Sequence, residues 1–94
     1  MTKMTHFEKS VTIINKLGLH ARAATKLAQL CQQYQAKVTL VLDEKEADAS
    51  SIMALMLLAG SQGKTVNIIT EGTDAEQALA SISKLFTDKF DEAE

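Results

Sequence analysis

The sequence has few of the residues that brace a small fold: its 94 residues include one cysteine, no proline and no tryptophan. A single cysteine excludes an internal disulfide and is typical of a reducing compartment, so we expect a cytoplasmic protein. Aromatic residues make up only 4%, and the core must therefore consist mostly of Leu, Ile, Val, Ala and Met. Cys31 falls on the apolar face of the first predicted helix, which indicates packing rather than thiol chemistry.

Long apolar runs and a strong charge of one sign are also absent. The longest apolar run, Ile52–Ala59, covers eight residues, whereas a membrane-spanning helix needs about 18 or more. Residues 1–10 lack the apolar core of a secretory signal. A formal net charge of -2 argues against general nucleic-acid binding. We therefore expect no nucleic-acid partner and no insertion into a membrane.

The residues that are present predict one α+β domain over residues 1–94, because 46% of them are apolar and their spacing alternates between two patterns. A period of two predicts strands, and spacings of three and four predict helices. The predicted order is strand, helix, strand, strand, helix, strand, helix, with these approximate bounds: Phe7–Ile14, His20–Gln33, Ala36–Leu42, Lys45–Ala49, Ser51–Leu58, Lys64–Thr70, and a last helix capped by Thr73 or Asp74.

Three finer expectations accompany this assignment. Ser50 or Ser51 is expected to cap the middle helix. The inward residues of the last strand are expected to be Val66, Ile68 and Ile69. The acidic residues near the end of the chain are expected to form a solvated tail: Asp88, Asp91, Glu92 and Glu94.

The stretch with the clearest chemistry is Asn15–Thr25, NKLGLHARAAT. A strand ends at Asn15, a glycine-containing turn follows, and His20 stands at the mouth of an alanine-rich helix with Arg22 two residues on. The N-terminus of a helix has unpaired N–H groups and a partial positive charge, so it attracts anions. Imidazole offers a nucleophilic nitrogen near neutral pH, and guanidinium binds oxyanions. The stretch predicts a histidine that accepts a phosphoryl group and passes it on.

The run Gly18–Ala24, GLHARAA, resembles the active-site signature of the HPr family, the histidine phosphocarriers of the bacterial phosphotransferase system. The resemblance covers nearly the whole chain, because later family landmarks also match: Ser51–Met56, Gln62-Gly63 and Glu71-Gly72. The run Asn15–Leu17 and the acidic end Phe90–Glu92 resemble the nitrogen-branch subfamily (NPr). One departure is Ala23, where the family motif has proline; alanine there loses a fixed φ in the first turn but no reacting group.

The resemblance implies an open-faced β-sandwich, in which a four-stranded antiparallel sheet carries three helices on one side. It also implies that His20 takes a phosphoryl group on Nδ1 from an enzyme I-type donor charged by phosphoenolpyruvate, and gives it to an enzyme IIA-type acceptor. Arg22 and the backbone N–H groups of Ala21 and Arg22 would neutralise the phosphoryl oxygens. Such a carrier is expected to act as a monomer, without a cofactor or a metal.

The middle helix is apolar nearly all round, which is typical of a helix pressed into the core, and Leu55 and Leu58 are expected there. One face is nevertheless expected to stay outside, and the resemblance implies that it docks partners, because the matching family positions are a docking surface. Ile52, Met53 and Met56 are the residues expected on that face, and methionines adapt to several partners. Ser51 is expected to cap this helix. In some members of the family the matching serine is a target of a regulatory kinase, so phosphorylation of Ser51 is the second interpretation of this residue.

Other functions stay open at this stage. The chain could be a sugar-branch HPr carrier, or a regulatory module that docks without turning over phosphate. A self-contained enzyme that hydrolyses or moves phosphate is disfavoured, because Asn15–Lys26 contains no Asp or Glu to orient the imidazole of His20. His6 is interpreted as a solvated residue, since no Cys, Asp or second His lies at ligand spacing to it.

Overall fold

Four strands form one antiparallel sheet in the order β1-β4-β2-β3, in a computed structural model that describes residues 5–93. The expectations that concern residues 1–4 and Glu94 lie outside this range. The strands and helices are β1 His6–Thr12, α1 Ala21–Cys31, β2 Lys37–Leu42, β3 Lys45–Asp48, α2 Ile52–Leu57, β4 Thr65–Glu71 and α3 Ala75–Thr87. A short 3₁₀ turn, Lys89–Asp91, follows α3.

The central strands β2 and β4 bury every second side chain, as the alternation in their sequences predicts. In β4 the buried residues are Val66, Ile68 and Thr70. The expectation that Ile69 is buried with them is wrong, because Ile69 lies on the opposite face and is half-buried. The hydroxyl of buried Thr70 donates a hydrogen bond to the carbonyl of Ala75 at 2.8 Å, so a polar residue takes this core position without an unpaired donor.

The helices bury their apolar faces in one core over the sheet. Helix α3 packs against β1, β4 and α1, and α2 lies beside α1. Cys31 belongs to this core with 5% of its surface exposed, and burial, followed by the nearby charge of Asp48, raises the pKa of its thiol to about 12. The predicted fold class, an open-faced α+β sandwich with one helical face, is confirmed.

Two turns require left-handed backbone and fix the ends of the elements. Asp43 and Glu44 link β2 to β3 with φ of 48° and 68°, which suits a tight hairpin. Gly18 has φ of 64°, and the turn beyond it places the N–H of Leu19 on the carbonyl of Gly60 at 2.8 Å. This second turn brings the loop before α1 against the end of α2.

The end of the chain differs from the prediction. Lys89, Phe90 and Asp91 all have positive φ, between 55° and 63°, so Lys89–Asp91 is a left-handed turn. The ring of Phe90 is fully buried and packs edge-on against Phe86 with centroids 4.9 Å apart. The expectation of a solvated tail is wrong for Glu92, whose side chain is only 9% exposed. Burial of Phe90 turns the chain back onto the domain.

Two glycines with positive φ offer a matched test of the turn before the site. A Cβ on Gly18 would overlap the carbonyl oxygen of Gly60, whereas a Cβ on Gly63, with φ of 94°, would meet nothing within 4 Å. We expect Gly63→Ala to cost about 1–2 kcal/mol from left-handed strain. Gly18→Ala should cost about 1–3 kcal/mol more, because of the overlap. Urea unfolding of both variants measures the difference, and equal costs would contradict the packing described.

Candidate functional site

His20 occupies the N-cap of α1, where the sequence predicts it, with extended backbone angles (φ -76°, ψ 179°). Its side chain is 28% exposed and makes no capping hydrogen bond to the helix. The first backbone N–H groups of a helix have no partner within it, so those of Ala21 and Arg22 belong to an electropositive end that the imidazole does not cover. The neighbouring Leu19 is buried, and it fixes the loop that carries the ring.

A carboxylate from the far end of the chain contacts the imidazole. Nε2 of His20 lies 2.5 Å from Oε2 of Glu92, within hydrogen-bond distance, and the two residues are 72 positions apart. The side-chain amide of Asn15 donates to Oε1 of the same carboxylate at 3.0 Å and to the carbonyl of Gly18 at 2.8 Å. Asn15 is fully buried. Its side-chain amide links Gly18 to Glu92, and Glu92 in turn contacts His20.

The charge of Glu92 is favoured by its partners. Burial alone would raise the pKa of this carboxyl, but the hydrogen bonds from Asn15 and His20 and the positive charges nearby outweigh burial and hold its pKa below the ordinary value of 4.5. Arg22 is among those charges. Glu92 is therefore an anion at neutral pH and faces a donor on the imidazole.

Lys26 fastens the tail beside the site. Its ammonium donates to the carbonyl of Phe90 at 2.9 Å and to a carboxylate oxygen of Asp91 at 3.3 Å.

The three left-handed residues of the turn cost about 1–2 kcal/mol each. Burial of the Phe90 ring returns about 1.5–3 kcal/mol, and a charged hydrogen bond about 1.5–3 kcal/mol. The strain of the turn and the stabilisation by Phe90 and Lys26 are therefore of similar size. The turn is only marginally stable from these contacts, and the contacts of Glu92 stabilise it further.

An open pocket surrounds the exposed edge of the imidazole. Its charged lining residues are Lys16, Arg22, Asp91 and Glu92. Arg22 is exposed, and its positive charge helps to lower the pKa of Glu92. His20, Ala21 and Arg22 all line the pocket at the N-terminal end of α1. Their roles in binding phosphate stay predictions.

The second predicted surface is the exposed face of α2, the helix that lies beside α1. Ile52, Met53 and Met56 are 39%, 72% and 45% exposed, as expected, whereas Leu55 is buried. Two further exposed leucines that the sequence did not single out, Leu17 and Leu57, are 67% and 75% exposed. We call the five exposed residues the apolar patch: Leu17, Ile52, Met53, Met56 and Leu57. Leu17 also lines the pocket, and the two residues that follow it, Gly18 and Leu19, contact Gly60 just beyond α2, so the loop that carries Leu17 links the site to the end of α2.

The remaining candidates fall outside the pocket. Ser51 is the N-cap of α2, and its hydroxyl accepts from the N–H of Ala54 at 3.1 Å, which confirms the capping interpretation and leaves phosphorylation untested. His6 begins β1, the strand whose other end leads to the site. Its exposed ring donates to Glu8 at 2.8 Å, and that hydrogen bond raises its pKa, so His6 has a partner that the sequence reading did not assign.

The described residues, 5–93, contain no group of three or more His, Cys, Asp or Glu side chains placed to hold a metal ion. Within the same range, no helix is both long and apolar enough to cross a membrane.

Sequence reasoning missed Asn15 and Glu92 as members of the site. Asn15–Lys26 contains no Asp or Glu, as the sequence shows, but Glu92 supplies a carboxylate to the imidazole from outside that stretch. A signal was present in the resemblance of Phe90–Glu92 to the nitrogen-branch subfamily. Glu92 contacts Nε2, and no other carboxylate of residues 5–93 forms a hydrogen bond or an ion pair with the ring, so the contact does not favour hydrolysis.

The fold and the site together define a small α+β protein with an anion-accepting histidine at a helix N-terminus. A sequence model described as the PTS HPr component phosphorylation site matches residues 7–88. The chain therefore belongs to the HPr family of phosphocarriers, which carry phosphate between components of the phosphotransferase system.

Individual relatives agree with this assignment. The chain is 51% identical over 90 residues to phosphocarrier protein NPr of Shewanella violacea, covering 96% of this chain and 99% of that protein. It is 44% identical over 85 residues to phosphocarrier protein HPr of Xylella fastidiosa, covering 90% and 96%. The crystal structure of HPr-C-His from Thermoanaerobacter tengcongensis superimposes with a TM-score of 0.90 at 36% identity, covering 94% of this chain and 99% of that chain.

The lowered pKa of Glu92 gives a prediction for stability. A carboxyl whose pKa is lower in the folded than in the unfolded chain stabilises the fold above the unfolded value, here 4.5, and loses this effect as pH falls through the folded value. We expect Glu92→Gln to unfold at a lower temperature than the unchanged chain at neutral pH. The gap should close as pH drops below 4.5.

Thermal unfolding across this pH range measures the gap. Glu46→Gln, at an exposed glutamate of β3, controls for the general loss of one negative charge. A gap that widens toward low pH would contradict the assigned contacts.

Proposed function

We propose that this chain accepts a phosphoryl group on His20 from an enzyme I-type donor charged by phosphoenolpyruvate and passes it to a histidine of an enzyme IIA-type acceptor. The observation that carries the proposal is the position of His20: a partly exposed imidazole at the N-cap of α1, uncommitted to capping the helix. Arg22 and the N–H groups of Ala21 and Arg22 bind the phosphoryl oxygens. The chain acts in the cytoplasm as a monomer without a cofactor.

The strength of these contacts suits a carrier. A helix N-terminus stabilises an anion by about 0.3–1 kcal/mol, and up to about 2 kcal/mol in favourable geometry. Because about 1.4 kcal/mol changes an equilibrium tenfold, such a site steadies the phosphoryl group without trapping it. The transfer passes through a loose, in-line transition state, for which positioning and charge neutralisation are the main contributions of a protein.

The nitrogen-related regulatory branch is the proposed context. It is supported by the 51% identity to an NPr protein, against 44% to an HPr protein of similar coverage. The tail residues Phe90–Glu92 also support it, because they carry the subfamily resemblance and contact the site. A sugar-branch carrier is the second interpretation, and parallel reactions with the two kinds of enzyme I distinguish the branches by rate.

The apolar patch is the proposed docking surface for both partners. It borders the pocket through Leu17 and contains two methionines, Met53 and Met56, whose flexible side chains adapt to different surfaces. A single surface beside the reacting histidine forces donor and acceptor to bind in turn, which a shuttle requires.

Phosphorylation of His20 is directly testable, because the chain has only two histidines. Incubation with phosphoenolpyruvate and an active enzyme I should add one acid-labile phosphate to the unchanged chain. The mass increase should persist in His6→Ala and disappear in His20→Ala. Intact-protein mass spectrometry provides the measurement. An adduct that survives in His20→Ala, or none in the unchanged chain with a donor shown to be active, would refute the proposal.

The docking role predicts a different kinetic effect. Met53→Glu puts a charge in the middle of the apolar patch at a side chain that is 72% exposed, so the fold should lose less than about 0.5 kcal/mol. We expect the KM for the phosphorylated donor to rise about tenfold or more, with kcat nearly unchanged.

Ser10→Glu is the matched control for Met53→Glu. It adds the same charge at an exposed residue of β1, on the strand face away from the helices. Rapid-quench kinetics with both variants measures KM and kcat for the phosphorylated donor. Equal effects of the two substitutions would mean that the patch does not dock the donor.

A further inference from the structure

We propose that Glu92 is a positioning residue for His20: its carboxylate keeps a proton on Nε2 and so leaves the lone pair of Nδ1 free to take the phosphoryl group. The proposal rests on the proposed function for its consequence in transfer. Which nitrogen of the unphosphorylated His20 ring carries the proton can be tested separately from phosphate transfer.

The protonation pattern follows from the donor and acceptor chemistry of the contact. An ionised carboxylate only accepts hydrogen bonds, so Nε2 must be the donor in the 2.5 Å contact with Oε2 of Glu92. A neutral imidazole carries one N–H, and the bond made by one ring nitrogen decides where it lies. The neutral ring of His20 is therefore the Nε2–H tautomer, and Nδ1 has the free lone pair.

The carboxylate is itself held in place, as a positioning role requires. Oε1 accepts from buried Asn15 while Oε2 accepts from His20, so each oxygen has a different partner. The neighbouring residues Phe90 and Asp91 are fastened by Lys26. Glu92 thus orients the ring of His20 from a fixed point. A carboxylate that holds an imidazole in the reactive tautomer also serves the serine hydrolases.

The same proton helps the group to leave again. When the Nδ1 lone pair bonds to phosphorus, the bond between phosphorus and the donor breaks and its electron pair goes to the donor. The ring then keeps the Nε2 proton and becomes a phosphoimidazolium, whose positive charge Glu92 faces. On transfer, the N–P bond breaks, the pair returns to Nδ1, and the ring leaves as neutral Nε2–H imidazole. No further reactant is consumed.

Other charged side chains also lie near the ring. Lys16, Arg22 and Asp91 line the same pocket as His20 and Glu92. Asp91 is paired with Lys26, and its side chain is 66% exposed. It therefore differs from Glu92 in lacking a hydrogen bond to the imidazole, although it carries the same charge one residue away. Asp91→Asn is the matched control for charge.

Nitrogen-15 NMR of the unphosphorylated chain tests the tautomer directly. At a pH where the ring is neutral, we expect the Nε2–H proton of His20 to be observed, protected by its bond to Glu92, and Nδ1 to show the shift of an unprotonated nitrogen. Asp91→Asn should retain both signals. Glu92→Ala should lose the protected proton, while unchanged ring signals of Phe90 show that the tail stays folded.

Phosphate release from the isolated phosphoprotein tests the second role. Hydrolysis is faster for the protonated ring, and an opposite charge nearby favours protonation. In Glu92→Gln the pH at which the release rate is half-maximal should therefore move down, by up to about one unit. Asp91→Asn should move it less. A merely structural tail contact would change stability and leave this pH profile in place.

The outcomes separate this proposal from the proposed function. If the neutral ring of the unchanged chain carries its proton on Nδ1, or if Glu92→Ala keeps the protected Nε2 proton, the positioning role is refuted, whether or not His20 is phosphorylated. If His20 is never phosphorylated, the proposed function fails, and the NMR result alone decides the role of Glu92. An equal pH shift in Asp91→Asn and Glu92→Gln would reduce Glu92 to a general charge effect and refute the proposal.

Discussion

The hydrogen bonds that link Asn15, Glu92 and His20 tie the two ends of the chain together at its reactive group. Asn15 and Glu92 are 77 positions apart, and neither lies in a regular strand or helix. The loop before α1 is shaped by Asn15 and by the left-handed Gly18, and the imidazole is oriented by Glu92. The site therefore depends on tertiary contacts as well as on the helix end that carries it.

The connection requires the left-handed turn Lys89–Asp91, whose backbone is strained. Three consecutive residues without a glycine adopt a conformation that each disfavours, and strain of this kind persists only where the surroundings over-determine it. Here the surroundings are the buried Phe90 ring and the ammonium of Lys26. The backbone strain and the stabilisation by these contacts are of similar size. The turn therefore depends on the burial of one aromatic side chain, although the surrounding sequence resembles an ordinary acidic chain end.

This balance explains what the sequence could and could not predict. Strand periodicity, the cap at Ser51 and the position of His20 depend on neighbours within a few residues, and each was predicted. The side chain of Asp74 shows the limit, because it accepts from the N–H groups of Gln35 and Ala36 instead of capping α3. Glu92 was missed for the same reason: local patterns carry no information on a partner 72 positions away.

A carboxylate beside a phosphoryl acceptor is at first sight unfavourable, since both groups are anions. The geometry resolves the conflict, because Glu92 meets Nε2 and the phosphoryl group is proposed to bond to Nδ1, on the other side of the ring. Two unit charges about 4 Å apart repel by about 4 kcal/mol near a protein surface, where the effective dielectric constant is about 20, and by less at greater separation. In the proposed mechanism the phosphorylated ring keeps its Nε2 proton and so places a positive charge between them. Arg22 lies in the same open pocket, so the positive charges of the ring and of Arg22 offset this repulsion while the carboxylate orients the nucleophile.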